Sequence, residues 1–189
     1  MLNSIFEHPS LRRLAALFLF LGILAFVTGL ASPPVADAGK AKFKVGHKPP
    51  DLTWTSVSGE AMSWDELRQD RPLVMVFWAT WCTVCKKDWP KLKKIAAKYE
   101  EMPLAPVWAA VSLGEKPDRV EKVARERELP GWIIADPKEA NGEALGIEFV
   151  PLVCILDANG VVSYLGEPKI GTIDKLLGSL TSRNKEAVQ

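Results

Sequence analysis

The stretch PLVMVFWATWCTVCKKDWP, residues 72–90, places two of the chain's three cysteines, Cys82 and Cys85, directly after a continuous apolar run. Such a run of β-branched and aromatic residues is typical of a strand buried on both faces. Beyond the cysteines, apolar residues recur at spacings of three and four, which predicts a helix over residues 86–101 with its start near Cys82 or Thr83. The stretch therefore predicts a strand, a short loop and a helix, with the cysteine pair where the loop meets the helix.

The position of Cys82 at the start of a helix favours reactive sulfur chemistry. Unpaired backbone N–H groups and the positive end of the helix dipole converge there and favour a thiolate over a thiol. Cys85 lies one turn further on, close enough for a disulfide. That disulfide would close a very small ring and restrict the unfolded chain little, because the stabilisation grows with loop length. A structural bridge is therefore disfavoured, and a pair that cycles between dithiol and disulfide is favoured.

Metal binding is the alternative use of the two thiolates. A closed zinc site requires four ligands, and the other candidates, Cys154, His47 and His8, do not lie at ligand spacing. Covalent haem attachment requires a histidine after the second cysteine, where this chain has Lys86. A Cu(I) site made of the two thiolates alone stays open, since soft sulfur ligands suit that ion.

The overall composition is that of an ordinary globular protein. Of the 189 residues, 48% are hydrophobic and 25% are charged, and the formal net charge is +1. This charge balance gives no sign of a nucleic-acid partner. Three cysteines are too few for a disulfide-built scaffold, so the core must come from packing. We expect no bound cofactor.

The N-terminal part of the chain has the features of a targeting segment. Two arginines precede an uncharged apolar run at residues 14–31, and a small-x-small cleavage site ends at Ala38. The run also reaches the lower limit for spanning a bilayer, while the lysines that follow it weaken the case for easy translocation. We therefore expect a cleaved signal or a retained inner-membrane anchor over residues 1–38, a linker over 39–44 and the folded domain over 45–189. Both alternatives place the domain outside the cytoplasm, in the periplasm, where disulfide chemistry operates.

The rest of the chain alternates between strand and helix patterns. A short hairpin is predicted around Ser58 and Gly59, followed by a turn of helix that Ser63 and Glu66 cap reciprocally. Six further segments predict a strand, a helix, a strand, a short helix, a hairpin with an Asn-Gly turn and a final helix. In order, they are LAPVWAAVSL, KPDRVEKVARERE, GWIIAD, NGEALGI, EFVPLVCILDANGVVSYLGE and TIDKLLGSL. This alternation predicts an α/β sheet with helices on both faces.

Together these segments resemble one protein family. WCTVCKKDWP after an apolar strand resembles the active site of thioredoxin-fold proteins, in particular the TlpA/ResA/CcmG-like disulfide reductases. VGHKPPDLTWTSVSGEAMSWDEL resembles the opening hairpin of that family, and LGIEFVPLVCILDANGVVSYLGE resembles its segment around the cis-proline. The resemblance covers about residues 45–180. It implies a thioredoxin-like α/β fold, a central mixed sheet flanked by helices, with an N-terminal hairpin and a preceding apolar signal or anchor helix.

The resemblance also implies roles for individual residues. Cys82 would be the attacking thiol and Cys85 the resolving one. Pro151 would be the cis-proline that faces them, with the backbone of Val150 exposed to an extended substrate peptide. A trans proline that opens a strand is the alternative for Pro151. Asp88 falls where several relatives carry a glutamate, so it is expected either to accept the proton of Cys85 or to be an exposed residue favoured by the helix dipole.

Other residues near the pair have less specific expectations. Trp81 and Trp78 are expected to shield the site, with core packing as the default for Trp78. Cys154 shares a strand face with Leu152 and Leu156, which predicts a buried core thiol, and a resolving or regulatory role is the alternative. The Thr-Val dipeptide between the cysteines departs from the proline that this family often carries, which leaves the reduction potential open.

The implied activity is the reduction of disulfides in partner proteins through a mixed disulfide at Cys82, with re-reduction by a membrane electron donor. Clients implied by the family are proteins whose cysteines must be free, such as apocytochromes c or copper-site proteins. The oxidising direction stays open, because direction depends on the reduction potential and on the partners. A peroxidase of the related peroxiredoxin group is disfavoured, since it wants a threonine three residues before its reactive cysteine, where this chain has Ala79.

Overall fold

The computed structural model describes residues 43–186, with side-chain surroundings through residue 182. The predicted signal or anchor over residues 1–38 and most of the linker lie outside the described residues. Within residues 43–186, no helix combines the length and the apolar character that crossing a bilayer requires. In chain order, the elements are β1 (Trp54–Thr55), β2 (Ala61–Met62), α1 (Trp64–Arg68), β3 (Leu73–Trp78), α2 (Thr83–Tyr99), β4 (Val107–Leu113), α3 (Pro117–Glu126), β5 (Trp132–Asp136), α4 (Ala140–Leu145), β6 (Leu152–Leu156), β7 (Val162–Gly166) and α5 (Ile170–Glu186).

The strand before the cysteine pair is the centre of the sheet. All residues of β3 are buried, as expected for a strand covered on both faces. It pairs in parallel with β4 and antiparallel with β6, and the five-stranded order is β5-β4-β3-β6-β7. The mixed sheet flanked by helices that the family resemblance implies is therefore confirmed.

Alternation along β3 divides the core into two clusters. Successive side chains of a strand point to opposite faces. Val74, Val76 and Trp78 therefore pack in the cluster that contains the cysteine pair, whereas Met75 and Phe77 pack on the other face. Helices α2, α3 and α5 contribute to the first cluster; the N-terminal hairpin, α1 and α4 contribute to the second. The cysteine pair consequently lies on one defined face of the sheet.

The N-terminal hairpin and its following helix form where the sequence predicts them. β1 and β2 pair antiparallel on either side of Gly59, whose φ of 90° suits a residue without a Cβ. The Ser63 hydroxyl accepts the N–H of Glu66, and the Glu66 carboxylate accepts the N–H of Ser63 at 2.7 Å, which completes the predicted capping box. Ser56 forms a bridge with Ile134, so the hairpin lies beside the β5 edge of the sheet.

Two helices differ in extent from their predictions. α2 runs from Thr83 to Tyr99, so its start agrees with the start predicted near Cys82 or Thr83, whereas it ends two residues before the predicted residue 101. α5 spans Ile170–Glu186, whereas the pattern indicated a helix over 172–180 only. Its extension is polar, and the Thr181 hydroxyl donates to the carbonyl of Leu177 at 2.9 Å. Apolar periodicity marks the part of a helix that faces the core, so it does not show where a polar extension ends.

Candidate active site

The cysteine pair lies at the start of α2. Cys82 is the N-cap, with an extended backbone (φ −69°, ψ 108°), and its Sγ accepts the backbone N–H of Cys85 at 3.0 Å. Cys82 and Cys85 are joined by a disulfide, with their Cα atoms 5.3 Å apart. The predicted proximity of the two sulfurs is confirmed. Because an N-cap group receives unpaired N–H groups and the positive end of the helix dipole, the same position favours a thiolate at Cys82 after reduction.

Large exposed apolar side chains lie next to the cysteine pair and the Val150–Pro151 segment. Cys82 is 5% exposed and Cys85 is 1% exposed, so Cys82 is the more accessible sulfur. Its neighbours Trp81 and Val84, together with Phe149, are large apolar side chains that are more than half exposed. Exposed apolar residues gathered at one place are typical of a surface that binds another molecule. Trp81 thus lies at the rim of the site rather than as a buried cover over it.

Trp78 takes the core position that was its default expectation. It is fully buried, and its ring packs edge-on against Trp89 of α2, with ring centroids 6.0 Å apart. The guanidinium of Arg127 lies over the same ring at 5.6 Å from its centroid. Trp78 therefore belongs to the same core cluster as Cys82 and Cys85.

The segment that precedes β6 faces the disulfide. The peptide bond between Val150 and Pro151 is cis, and the carbonyl oxygen of Val150 lies 3.9 Å from the Sγ of Cys82. A cavity of about 310 Å³ adjoins this segment, with Val84, Phe149, Val150 and Pro151 among its lining residues. The structure thus brings the two cysteines together with Val150 and Pro151, as the resemblance implied.

Asp88 lines the same cavity as Val150 and Pro151. Its side chain is 16% exposed and pairs with Lys91 at 2.8 Å. The Asp88 side chain is therefore partly buried, while its contact with Lys91 is open to solvent. Its role as a proton acceptor for Cys85 stays a prediction, since its observed partner is Lys91.

A buried carboxylate that the sequence analysis did not single out holds the active-site loop. Glu115 accepts the N–H of Thr80 at 2.6 Å, the hydroxyl of Thr80 and the hydroxyl of Ser112 at 2.7 Å. β3 and β4 are parallel neighbours with Trp78 opposite Ser112, so residues that follow their carboxyl ends meet at one edge of the sheet. The sequence indicates where both strands end but not that they are neighbours, so it did not identify Glu115. Thr80 lies two residues before Cys82, so Glu115 fixes the backbone that leads to the reactive sulfur.

The backbone carbonyl of Thr80 is also held by a side chain. Arg127, which follows α3, donates through Nη2 to the Thr80 carbonyl at 3.0 Å. Both polar groups of the Thr80 backbone therefore have side-chain partners from the residues that flank α3, with Glu115 before the helix and Arg127 after it. The loop between β3 and α2 is positioned by these contacts, which no motif in the loop itself encodes.

The ionised form of Glu115 is favoured in the folded protein. Burial raises the pKa of its carboxyl, but hydrogen bonds from Thr80 and Ser112 and the charge of Arg119 outweigh burial and leave the pKa below its ordinary value. The carboxylate thus contributes stability above the ordinary pKa near 4.5, and this contribution is lost as the pH falls through the lower folded-state pKa.

The substitution Glu115→Gln tests that pH dependence. We expect wild type to exceed this variant in free energy of unfolding at about pH 7, and the difference to shrink as the pH is lowered from about 4.5 to 3. Urea unfolding of both proteins across this range measures it. Other carboxyls with lowered pKa values, such as Asp174, are common to both proteins and cancel. A difference that stays constant down to pH 3 would contradict the assignment.

The third cysteine belongs to the core. Cys154 is fully buried on β6, opposite Met75 of β3, and packs on the face of the sheet away from Cys82 and Cys85. Burial raises the pKa of its thiol. The prediction of a core thiol is confirmed, and the sheet separates Cys154 from the exchanging pair.

Replacing Cys154 by alanine is expected to affect stability and not exchange. Loss of the buried sulfur should lower the free energy of unfolding by about 1–2 kcal/mol. The rate of disulfide exchange, measured at a temperature where both proteins are folded, should equal that of wild type. A several-fold fall in that rate at full folding would restore the resolving or regulatory alternative.

The described residues offer little for a multidentate metal site. Among residues 43–186, no group of three or more His, Cys, Asp or Glu side chains is arranged to hold a metal ion. Cys154, the third thiol, lies across the sheet from the pair. The geometry of the site is therefore that of two adjacent sulfurs facing a backbone carbonyl.

Comparisons with known proteins agree with this geometry. A family model described as Redoxin matches residues 44–177. The thioredoxin-like protein YneN of Bacillus subtilis is 29% identical over 131 residues, which cover 69% of this chain and 74% of YneN. The thiol-disulfide oxidoreductase ResA of Geobacillus thermodenitrificans is 27% identical over 126 residues, which cover 67% of this chain and 71% of ResA.

Solved structures show the same fold. A secreted disulfide oxidoreductase of Mycobacterium tuberculosis, described as homologous to Escherichia coli DsbE, has a TM-score of 0.58 at 18% identity and covers 68% of this chain and 96% of its own. A thiol:disulfide interchange protein of Chlorobium tepidum has a TM-score of 0.58 at 19% identity, with coverage of 71% and 96%. The thioredoxin-like fold expected from the sequence is confirmed. This chain belongs to the Redoxin family and, within the thioredoxin fold, to the TlpA/ResA/CcmG-like group.

Proposed function

We propose that this protein is a thiol–disulfide oxidoreductase that reduces disulfides in partner proteins. The observation that carries the proposal is the position of the Cys82 sulfur. It lies at the N-cap of α2, accepts the N–H of Cys85 at 3.0 Å and lies 3.9 Å from the carbonyl of Val150. A sulfur in this position is favoured as a thiolate, has a second sulfur within bonding distance and adjoins a backbone acceptor for a bound peptide.

The reaction begins with both cysteines reduced. The Cys82 thiolate attacks one sulfur of the partner disulfide, which expels the other sulfur as a thiolate and forms a mixed disulfide. Cys85 then loses its proton and attacks the Cys82 sulfur, which forms the intramolecular disulfide and releases the second partner thiolate. The partner gains two electrons and the Cys82–Cys85 pair loses two. Asp88, in the cavity beside Val150 and Pro151, is the proposed acceptor of the Cys85 proton.

The partner binds as an extended segment beside the Val150–Pro151 bond. Val150 presents its carbonyl toward Cys82, and Phe149, Val84 and Trp81 supply exposed apolar surface around it. Backbone hydrogen bonds give affinity without demanding a particular sequence, whereas the apolar surface accepts side chains that flank the partner's cysteine.

The proposed location is outside the cytoplasm. The apolar run at residues 14–31 supports export, either as a cleaved signal or as an inner-membrane anchor. Oxidised protein has to be reduced again after each turnover, and a membrane electron donor is the proposed source. Disulfide-containing client proteins are the proposed substrates.

The reduction potential of the pair tests the proposed direction. Equilibration with glutathione redox buffers should give a value more negative than about −230 mV, on the reducing side of the glutaredoxins. At such a potential the dithiol form gives up electrons to ordinary protein disulfides. A value of about −120 mV would mark the pair as a strong oxidant and overturn the reductase assignment.

A further inference from the structure

A groove on the side of α2 away from the Val150–Pro151 segment combines an apolar surface with a cluster of positive charges. Its cavity has a volume of about 480 Å³. The apolar part of the lining is formed by Trp89, Pro90 and Ala97. The basic part is formed by Lys86, Lys93, Lys94 and Arg127. These residues are called the α2 groove below.

The charges of the α2 groove are largely uncompensated. Lys93 pairs with Glu128 at 2.9 Å and donates to the Arg127 carbonyl. Lys86 and Lys94 form no ion pair with any residue in the described range 43–186. Arg127 uses one of its N–H groups to donate a hydrogen bond to the Thr80 carbonyl. The groove therefore keeps a local excess of positive charge beside apolar surface. If the lysines only formed an ordinary solvent-exposed helix face, no apolar cavity would be required between them.

The near end of the α2 groove lies close to the cysteine pair along α2. Lys86 is the residue after Cys85, and Arg127 holds the Thr80 carbonyl two residues before Cys82. A protein partner of ordinary interface size covers about 800 Å² on each side, a patch of roughly 16 Å radius. A partner bonded to Cys82 therefore reaches the near end of the groove without any change in the fold.

We propose that the α2 groove is a docking site for the protein that exchanges disulfides with Cys82, and that this partner offers an apolar side chain flanked by carboxylates. The proposal rests on the proposed function. The apolar side chain would cover the exposed Pro90 and Ala97, since Trp89 is only 3% exposed, and the carboxylates would face Lys86, Lys94 and Arg127. Complementary charge of this kind raises association rates and selects among partners, more than it raises affinity.

Synthetic peptides can measure the preference. Each carries one cysteine as a mixed disulfide with 2-mercaptoethanol, followed by a neutral spacer and then Glu-Phe-Glu. From Cys82 to Lys94 the helix rises about 18 Å, which an extended spacer of about six residues spans. Matched peptides replace both glutamates by glutamine, or the phenylalanine by alanine, and a second set places the arm before the cysteine. Bis(2-hydroxyethyl) disulfide is the small reference substrate.

The reaction balances without a further reagent. Reduced full-length protein supplies two electrons and two protons, and the products are oxidised protein, the peptide thiol and 2-mercaptoethanol. Acid quench and chromatography give the second-order rate constant. In one of the two arm orientations, the glutamate peptide should react about tenfold faster than the glutamine peptide at low ionic strength. The ratio of the glutamate-peptide rate to the glutamine-peptide rate should fall toward one at about 1 M salt. The peptide with alanine in place of phenylalanine should react more slowly than the glutamate peptide that keeps the phenylalanine.

Variants locate the effect. Lys94→Glu should lower the ratio of the glutamate-peptide rate to the bis(2-hydroxyethyl) disulfide rate about three- to tenfold. This ratio cancels any change in the reactivity of Cys82. Lys122→Glu changes the net charge equally from an exposed position on α3 outside the groove, and it should leave the ratio at the wild-type value.

The outcomes separate the two proposals. No reaction with bis(2-hydroxyethyl) disulfide would overturn the proposed function itself. Normal reaction with that reagent and equal rates for the glutamate and glutamine peptides in both orientations would overturn the docking site alone. An equal effect of Lys122→Glu would also overturn it, since net charge would then explain the preference. Binding to phosphatidylglycerol vesicles that depends on Lys94, together with equal rates for the glutamate and glutamine peptides, would also overturn the docking site. The groove would then be assigned to binding a membrane surface.

Discussion

Replacing Cys82 by serine is expected to reduce disulfide exchange to the uncatalysed rate. A serine hydroxyl is not ionised near neutral pH, so the N–H groups at the start of α2 have no anionic nucleophile to stabilise. Cys85 is 1% exposed and lies inside the helix, where it does not reach an incoming disulfide in place of Cys82. Reduction of insulin by the variant, with dithiothreitol as electron source, measures the loss.

Replacing Cys85 by serine is expected to give a different result. Cys82 should still attack the partner, but no second sulfur releases it, so the mixed disulfide accumulates. Mass spectrometry of the reaction mixture should show a covalent adduct that excess dithiothreitol removes. Cys154→Ala is the matched control, because it removes a thiol from the other face of the sheet. Full insulin reduction by Cys82→Ser, or the absence of an adduct with Cys85→Ser, would contradict these roles.

Replacing Glu115 by alanine has the largest expected effect outside the cysteine pair. The N–H and hydroxyl of Thr80 and the hydroxyl of Ser112 would lose their acceptor in a buried place. Leaving such groups unsatisfied should lower the free energy of unfolding by about 2–4 kcal/mol. Exchange by the folded variant should also slow several-fold, since Thr80 positions the loop that carries Cys82.

The conservative variant distinguishes these two effects. Glu115→Gln keeps an acceptor for Thr80 and should recover most of the exchange rate at neutral pH. Glu121→Ala removes an exposed carboxylate that pairs with Arg125, and it should cost less than about 1 kcal/mol with no change in exchange. Urea unfolding and exchange with bis(2-hydroxyethyl) disulfide measure both quantities. A Glu115→Ala protein with wild-type stability and rate would show that the Thr80 contacts are dispensable.

Most of the fold could be predicted from local patterns. The continuous apolar run predicted β3 as a buried strand, and the Ser63–Glu66 spacing predicted the capping box at α1. These features depend on neighbours within a few residues, which is why the sequence carries them. The ends of α2 and α5 were misplaced, because a polar helical turn leaves no apolar repeat to mark its end.

The site was predictable in part. Cys82 and Cys85 are close in sequence, so their proximity follows from the helix itself. Pro151 could be placed opposite them only through the family resemblance, since β6 pairs with β3 across a long stretch of chain. Glu115 and Arg127 were missed because each acts on Thr80 from a separate part of the chain.

By itself, the sequence determined the reactive element of this protein: a buried strand, followed by a short loop and a helix that has a cysteine at its N-cap. Helix geometry and backbone hydrogen bonding fix that arrangement within a few residues. Only the tertiary structure decided what surrounds it. Pairing of β3 with β4 and β6 brought Glu115 and Val150 to the same loop and put Cys154 on the other face. Contacts between distant segments depend on sheet order and register, which no local pattern specifies.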